Sequence, residues 1–362
     1  MSILQFDGLD HYGSGSINGS GAVALNYQSN GYAVPTISTI LSTSYGKVSG
    51  SLGALLYTAI ASTVNPVWIS KPIQPEQYKA IEPYRAKDFV YLGFAFRMTA
   101  NPNAELMIAR VGDHRVSVAP DFTIVGDDDY TQYKIELSIW NYCELEVNER
   151  DSKFRIWMND RLVHEAIMEE ETVNFDKWEI MAHYSKNGGS ANQQILHVDD
   201  IYVLDGEGNV NTTRLGKVNV VSRYPKADVQ TQFAPNSGST NFSRVADSTP
   251  DNDSSFVYSS EIGATDLYSN GDAIDVIDDN AVVALAVVTS ARMTEPDSLS
   301  IGAVIKSGDA TAEGGRMRLK AASYTSEKAV FEVDPATNAR WKPDAVRALN
   351  WGQKVLERIL ND

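Results

Sequence analysis

The chain has 362 residues, of which 43% are hydrophobic and 22% charged, so it can bury a sizeable core and wholesale disorder is excluded. A formal net charge of −16 argues against nucleic acid as a partner, because a protein that grips phosphates usually presents a basic surface. The single cysteine, Cys143, excludes an intramolecular disulfide framework and a multi-cysteine metal site. The sequence shows no signal peptide and no apolar run long enough for membrane insertion, so we expect a protein made in a cytoplasm.

The first distinct segment is residues 13–46, which are rich in Gly, Ser and Thr and carry almost no charge. Such a segment buries too little apolar surface of its own to offset an ordering entropy of roughly 1–2 kcal/mol per residue. We therefore predict an N-terminal arm that is ordered mainly by contacts with neighbouring chains. The alternative is that it completes the first domain of its own chain. Its isolated apolar anchors are Leu25, Tyr27, Tyr32, Ile37, Ile40 and Leu41.

The strand signals begin after a cluster of prolines. The run KDFVYLGFAFRM (residues 87–98) is almost continuously apolar, which predicts a strand that is covered on both faces. Residues 133–147 alternate apolar and polar side chains, which predicts a half-buried strand pair with a turn or bulge near Asn141. Cys143 lies on the apolar parity of that pattern, so we expect it to be a buried, unreactive thiol.

Later strands follow at intervals of roughly 10–15 residues, with turn residues between them and no alternating amphipathic helices. This spacing predicts an all-β protein rather than a parallel α/β sheet. We expect a β-sandwich over residues 1–208 and a second, smaller β-sandwich over residues 209–362. The segment DGEGN marks the boundary between them.

Carboxylates on one strand face are the first enzymatic signal to examine. Sandwich glycosidases place a Glu-x-Asp-x-x-Glu motif on one strand, with acid and nucleophile about 5–5.5 Å apart in retaining enzymes. Glu144, Glu146 and Glu149 approach this motif, but its middle aspartate is absent and a glutamate stands there. The five histidines are scattered and no nucleophile elbow or phosphate-binding loop occurs. We predict no catalytic residues, no enzyme activity and no cofactor.

Two acidic clusters are the candidates for calcium binding or for structural hydrogen bonding. Asp127, Asp128 and Asp129 fall in one loop and could supply some of the oxygens that calcium needs. The alternative, which we favour, is a solvated turn. Asp199 and Asp200 lie on a strand, where alternation would send one to each face, and the inward one must be hydrogen-bonded to tolerate burial.

Aromatic side chains on the expected outer face are candidates for contact with a glycan or a neighbouring subunit. These are Trp140, Tyr142 and Trp157. Sugars stack on aromatic faces beside polar acceptors, so an exposed platform would favour a lectin. Packing against another sheet or subunit is the interpretation that we prefer.

Three stretches of the first domain carry a family resemblance: the opening LQFDGLDHYG, the central YKIELSIW…FRIWMNDRLV and the closing ILHVDDIYVLDGEGN. They are similar to the first domain of a family of tailed-bacteriophage virion proteins, which have an N-terminal concanavalin-like (laminin-G-type) sandwich and a C-terminal β module. The run from residue 214 to residue 247, with Gly216, is similar to its linker and second module. DPATNARWKPDAVRALNWGQKV is similar to its ending, with Asn338 replacing the turn glycine because asparagine also tolerates left-handed geometry.

The resemblance covers most of residues 1–12 and 87–355, and the sequence departs from the family between residues 13 and 75. It implies a structural, assembly-mediating subunit of a phage tail, collar or fibre that forms a homo-oligomer and contacts other virion proteins. It implies no catalytic residue. The alternatives are a lectin-like tail-tip protein that binds a host surface glycan or receptor, and a head-decoration protein.

Overall fold

The computed structural model describes the following parts of the chain: residues 3–9, 12, 14–16, 40–42, 44–47, 52–57, 59–60, 68–72, 89–168, 177–184, 193–247, 251–270, 282–294, 299–319, 321 and 323–357. The chain forms two compact units, residues 1–221 and 222–362. In the described parts no helix is long and apolar enough to span a membrane.

The strands of the first unit form two antiparallel-rich sheets. They are β1 (Ile3–Asp7), β2 (Gly15–Ser16), β3 (Ile40–Ser42), β4 (Gly53–Tyr57), β5 (Ala59–Ile60), β6 (Trp68–Pro72), β7 (Phe89–Met98), β8 (Leu106–Val111), β9 (His114–Val118), β10 (Thr123–Gly126), β11 (Asp129–Lys134), β12 (Asn141–Asn148), β13 (Lys153–Met158), β14 (Arg161–Ile167), β15 (Lys177–Tyr184) and β16 (Gln194–Leu204). The larger sheet runs β14-β13-β12-β7-β16-β4-β3-β2, with β1 also paired to β16. The smaller sheet runs β11-β10-β9-β8-β15-β5, with β6 also paired to β15.

The core of the first unit lies between these two sheets. Strand β13 shows why, since its residues alternate between half-buried and buried and send Phe154, Ile156 and Met158 inward. The same cluster takes Phe94 from β7 and Trp178 from β15. Two sheets that bury a shared apolar layer define a β-sandwich, and the predicted all-β fold class is confirmed.

The second unit is smaller, and its described residues are all-β apart from two short helical turns. Its elements are β17 (Ala227–Gln230), β18 (Ala234–Pro235), a 3₁₀ helix (Phe242–Arg244), β19 (Val257–Tyr258), β20 (Thr265–Ser269), β21 (Leu285–Ala291), β22 (Ser300–Ser307), β23 (Ala310–Arg318), β24 (Thr325–Phe331), α1 (Pro343–Arg347) and β25 (Asn350–Leu356). A sheet with the order β17-β20-β25-β22-β23 packs with the pair β21-β24 around Ile305, Phe331 and Trp341. Asn338 adopts φ 52°, as its replacement of a turn glycine predicts.

Two predictions from residues 133–147 have different outcomes. Cys143 is fully buried and reduced, and burial raises the pKa of its thiol well above the ordinary value, which confirms the core assignment. The predicted turn lies slightly before Asn141, between residues 135 and 140, where a connection with Ser138 at φ 63° separates β11 from β12, and the predicted core parity of Leu137 and Ile139 is wrong. Leu137 and Ile139 are 43% and 52% exposed there, because a turn does not alternate its side chains between two faces.

The boundary between the units follows Val221, later than the predicted boundary after residue 208. The added residues belong to the first unit because the backbone of Gly216 and Val220 donates hydrogen bonds to carboxylates on its larger sheet.

Most of the predicted N-terminal arm, including residues 17–39, lies outside the described residues. At its C-terminal end Leu41 is buried in the core of its own chain, within β3. Docking of the arm on a neighbour stays a prediction.

Candidate functional site: the covered polar face

The outward face of the larger sheet carries a buried network of polar and aromatic side chains, here called the covered face. Its members project away from the core because they alternate with core residues along β7, β12, β13 and β16. They are Tyr91, Arg97, Tyr142, Glu144, Glu146, Arg155, Trp157, His197, Asp199, Asp200 and Tyr202. Residues 213–220, here called the strap, make several hydrogen bonds to this face.

Gly93 makes room for the centre of the covered face. It lies opposite both Glu144 and Tyr202 in the strand registers. A Cβ atom at this position would fall 2.1 Å from the ring of Tyr202, so a side chain there would displace the ring. Glycine therefore lets Tyr202 approach the backbone of β7 and extend its hydroxyl toward Glu144.

Glu144 is a carboxylate at the centre of the covered face, with only 1% of the residue exposed. It accepts hydrogen bonds from the Tyr202 hydroxyl, from Arg214 Nη1 at 2.6 Å and from the Gly216 backbone N–H at 2.8 Å. The backbone N–H of Leu215 in turn donates to the Tyr202 hydroxyl at 3.1 Å. Burial and the adjacent carboxylate raise the pKa of Tyr202 well above its ordinary value, so the phenol stays a donor.

Arg214 fixes the strap on the aromatic part of this face. Its guanidinium carbon lies 4.1 Å from the centre of the Trp157 ring, within the range of a cation–π contact. Nη1 also donates to Asp160 Oδ1 at 3.0 Å, in the turn that follows β13. Gly216 turns the strap with φ 74°, a left-handed conformation that glycine adopts without steric cost. Asp160 limits the space further, since a Cβ at Gly216 would lie 2.9 Å from its Oδ1.

Asp199 and Asp200 bind the segments that lie over the other end of the covered face. Both are buried, and the register of β16 with β7 shifts between Asp199 and Tyr202 while Asp200 adopts φ 49°. The expected simple alternation is therefore broken by a bulge, which allows both carboxylates to accept bonds from segments lying over the sheet. Asp199 Oδ2 accepts from the Lys47 backbone N–H, and Asp200 Oδ1 accepts from the Val220 N–H, each at 2.7 Å.

The side chain of Lys47 completes that end of the network. Its Nζ donates to Asp200 Oδ2 at 2.7 Å and to Asn219 Oδ1 at 2.7 Å, and it lies 5.7 Å from the Tyr142 ring centre. Burial raises the pKa of the Asp200 carboxyl, while the nearby lysine opposes that rise.

Two of the glutamates that approached a catalytic spacing, Glu144 and Glu146, have structural partners. Glu146 accepts from Arg155 Nη1 at 2.6 Å, and Arg155 also donates to Asp151 and Glu165 at 2.7 Å each. Burial and the neighbouring Glu146 raise the pKa of Tyr91 to about 12. The third member of the spacing, Glu149, follows the end of β12.

The three aromatic candidates do not form one open platform. Trp140 lies 5.2 Å from the Arg97 guanidinium, and Trp157 is contacted by Arg214. Tyr142 is buried, and its hydroxyl donates to a backbone oxygen in the β16 bulge at 3.1 Å. Of the three, Trp157 lines an open pocket of about 470 Å³. The pocket is lined by Tyr91, Glu146, Trp157, Asp160, Thr213, Arg214, Leu215 and Gly216.

The calcium candidates lie at the hairpin turn between β10 and β11. Asp127 and Asp128 adopt positive φ angles, and their carboxylates contact the neighbouring hairpin. Asp127 pairs with His114 Nδ1 at 2.6 Å, and Asp128 with Arg115 Nη2 at 2.6 Å, while Asp129 begins β11. Among the residues that the structure describes, no three His, Cys, Asp or Glu side chains are grouped to hold a metal ion.

The residues that organise the covered face were largely missed by sequence reasoning. Lys47 and Arg214 lie in segments without apolar periodicity. In the sequence they therefore look like ordinary surface cations. Tyr202 has the parity of an outward residue on a strand, which predicts exposure rather than burial under a strap. One available signal was Gly216, part of the family resemblance, because glycine supplies the positive φ that a tight turn needs.

Comparison with known proteins does not assign this chain to a family. No family model and no curated protein matches the sequence. Among solved structures, the botulinum neurotoxin serotype D binding domain matches with a TM-score of 0.30 and 10% identity over 42% of this chain and 39% of that one. Trypanosoma rangeli sialidase, in complex with the inhibitor DANA, matches at 0.34 and 10% over 47% of this chain and 27% of that one.

A third structure, of a cellulose-induced protein (Cip1), matches at 0.35 and 11% identity over 52% of this chain and 89% of that one. The chain therefore spans well under half of the toxin and sialidase structures. TM-scores this low identify neither a substrate nor a partner. None of the three is named as a phage protein, and the resemblance to that family stays a prediction.

Proposed function

We propose that this protein is a non-enzymatic structural subunit of a bacteriophage particle, in the tail, collar or a fibre, which assembles with copies of itself. The observation that carries the structural part is the state of Glu144. It is buried, accepts three hydrogen bonds and is covered by the chain's own strap. A carboxylate so engaged stabilises the fold, whereas a catalytic acid or nucleophile needs access to its substrate.

The motifs that carry the phage resemblance also stabilise local structure. In the opening motif, the carboxylate of Asp7 accepts from the Leu9 backbone N–H at 2.8 Å and from the Tyr12 hydroxyl at 2.7 Å. In the closing motif, the two aspartates of the β16 bulge bind Lys47 and the strap. In both motifs the residues that match the phage family stabilise the fold. This supports a structural role for the chain rather than an enzymatic one.

Apolar side chains at the free edges of the first unit support the assembly part. Among the described strands, β14 and β11 each end their sheet. Ile167 on β14 is 82% exposed and Tyr130 on β11 is 63% exposed. Leu162 lies on the same edge strand as Ile167 and is also exposed. Exposed edges that carry apolar side chains are typical places for another chain to bind.

A light-scattering experiment tests assembly through this edge. We expect the full chain to form a homo-oligomer, and the paired substitution Leu162→Lys with Ile167→Lys to lower its mass. Ile262→Lys is the matched control, because that exposed aliphatic residue belongs to the second unit, and it should leave the mass unchanged. A wild-type chain that stays monomeric at high concentration would contradict self-assembly.

The location in a phage particle needs a separate measurement. Mass spectrometry of purified particles from an infected host should detect the chain at a copy number that fits a symmetric appendage. A reconstruction of the particle would then assign it to the tail, collar or fibre. Its absence from purified particles would refute the proposed location while leaving the oligomer result untouched.

The pocket beside Trp157 supports one alternative, a glycan- or receptor-binding subunit. Its aromatic and carboxylate lining suits a polar ligand with a stacking face, although Arg214 already occupies one face of the indole. Screening the protein on a glycan array decides between the two functions. Binding that is lost on Trp157→Ala, with the fold retained, would favour the alternative.

A further inference from the structure

The side chains of Lys47, Asp200 and Asn219 converge at the end of the strap. An ion pair between Lys47 and Asp200 would not require the carboxamide of Asn219. Lys47 Nζ lies 2.7 Å from Asp200 Oδ2, 2.7 Å from Asn219 Oδ1 and 3.2 Å from the Val218 carbonyl oxygen. One primary amine is therefore in contact with both a carboxamide and a carboxylate. We propose that Lys47 and Asn219 form an intramolecular isopeptide bond, with Asp200 as the proton-transfer group.

Both reacting residues are held by backbone contacts on either side of the β16 bulge. The Lys47 N–H donates to Asp199, and the N–H of Val220, next to Asn219, donates to Asp200, each at 2.7 Å. The amine and the amide are 172 positions apart in sequence, yet the fold presents them to each other. Fixing two reactants in contact removes most of the entropy cost of bringing them together, which is a large part of the barrier to amide exchange.

Asp200 has the properties of a group that shuttles protons. Its residue is only 3% exposed, and burial raises the pKa of its carboxyl. A carboxylate made more basic by burial accepts the proton from the lysine ammonium more readily than a solvated one. The aromatic ring of Tyr142 lies below the amine, and it excludes water from that side.

The atoms and protons of the proposed reaction balance without any added reagent. The ammonium of Lys47 gives one proton to Asp200, and the free amine attacks Cγ of Asn219, so that an Nζ–Cγ bond forms. Asp200 then transfers a proton to Nδ2 as the Cγ–Nδ2 bond breaks. The remaining excess proton leaves with the nitrogen, so lysine ammonium and carboxamide become a secondary amide and an ammonium ion. Asn219 is on the exposed side of the cluster, which gives the released ammonia a direct path to water.

Such a bond would tie the segment before β4 to the strap, within the first unit. The β-strands between residues 47 and 219 would then lie inside one covalent ring. Non-covalent unfolding could no longer release the strap from Lys47. This inference concerns the chain itself and does not depend on its place in a phage particle.

The mass of the intact, purified full-length chain tests the proposal directly. We expect a mass below that of the sequence by one ammonia, and a branched peptide that joins Lys47 to Asn219 after digestion. Lys47→Arg keeps a cation beside Asp200 but has no amine to acylate, and Asn219→Ala removes the acyl group. Both variants should have the full sequence mass and no branched peptide.

A neighbouring substitution provides the control. Lys217→Arg changes an exposed lysine on the strap and should leave the mass deficit and the branched peptide in place. A wild-type chain with the full sequence mass would overturn the proposal, because the measurement does not depend on any variant folding. A mass deficit that persists in Lys47→Arg would overturn it as well, since ammonia would then be lost by another route, such as cyclisation of an asparagine onto the backbone.

Discussion

The covered face and the free edge of the first unit distribute polarity in opposite ways. On the covered face, carboxylates and tyrosines are buried beneath the strap, and Glu144 and Asp200 have charged partners. At the β11 and β14 edge, aliphatic and aromatic side chains such as Ile167 and Tyr130 are open to solvent. Burial of a charge is tolerated only where its hydrogen bonds are complete, and an exposed apolar edge is tolerated best where another chain covers it. The difference indicates that the polar face stabilises the chain's own fold, while the edge is where we propose that another chain binds.

The largest effect should follow from removing the central carboxylate of the covered face. Glu144→Ala leaves the Arg214 guanidinium and the Tyr202 hydroxyl without their shared acceptor, which should lower the free energy of unfolding by about 3 kcal/mol. The urea dependence of Cys143 labelling reports this, because the only cysteine lies in the core of the first unit.

Glu165→Ala is the matched control for that substitution. Glu165 also accepts from an arginine, but its side chain is well exposed and water can replace it. Its removal should shift the labelling midpoint much less. Equal shifts for both variants would mean that the covered face is no more important to stability than a surface ion pair.

Acid should weaken the covered face through His197, whose Nδ1 accepts a hydrogen bond from Arg97 Nη2 at 2.8 Å. Burial, aided by the Arg97 charge, lowers the pKa of His197 to about 4 from an ordinary value of 6.5. Between these values the unfolded chain binds a proton that the folded chain does not, so stability falls as the pH drops through that window. The loss should be on the order of 2–3 kcal/mol, and constant again below the lower value.

His197→Gln separates this histidine from the other groups that titrate in the same range. Glutamine keeps a polar contact for Arg97 but binds no proton. Urea unfolding followed by tryptophan fluorescence should give a shallower loss of stability between pH 6.5 and 4 for the variant than for the wild type. Parallel curves would remove His197 from the acid response.

A methyl group at Gly93 should produce a smaller loss, because it forces the Tyr202 ring away from β7. Overpacking of this kind costs about 1–3 kcal/mol. Repeating Gly93→Ala in a Tyr202→Ala background should reduce that cost, since the ring that it displaces is gone. A cost that is unchanged in the double variant would place the strain elsewhere on the strand.

The smallest effect on the isolated fold is expected at the free edge. Ile167→Lys replaces a side chain that is 82% exposed, so the free energy of unfolding of the dissociated chain should change by no more than about 0.5 kcal/mol. The association constant from dilution experiments should change far more. A large loss of stability in the monomer would show that Ile167 packs within its own chain, and would weaken the assembly proposal.

The sequence predicted well those elements whose burial follows a simple period. Strand β7 is buried on both faces, as its continuous apolar run indicates, and β13 alternates as a two-faced strand should. Leu137 and Ile139 misled the prediction because their spacing continues the strand parity through a turn. Nothing local distinguishes such a turn from a strand when its side chains are apolar.

The candidate site was less accessible to sequence reasoning. Glu144 and Glu146 are on the face that alternation predicts, but their burial depends on a strap about 70 residues further along the chain. Asp199 and Asp200 were expected to need hydrogen-bond partners, and the partners are Lys47 and Val220, which no periodic pattern connects to them. Long-range contacts between irregular segments carry no signal in a single sequence.

The close approach of Gly8 to the strap has a practical consequence. A Cβ at Gly8 would lie 2.8 Å from the Val220 carbonyl oxygen, so the first strand's exit and the last residues of the first unit are neighbours. Any side chain at position 8 would therefore have to displace the end of the strap. In a library of variants at this position, we expect glycine to be retained in the chains that keep the strap in place.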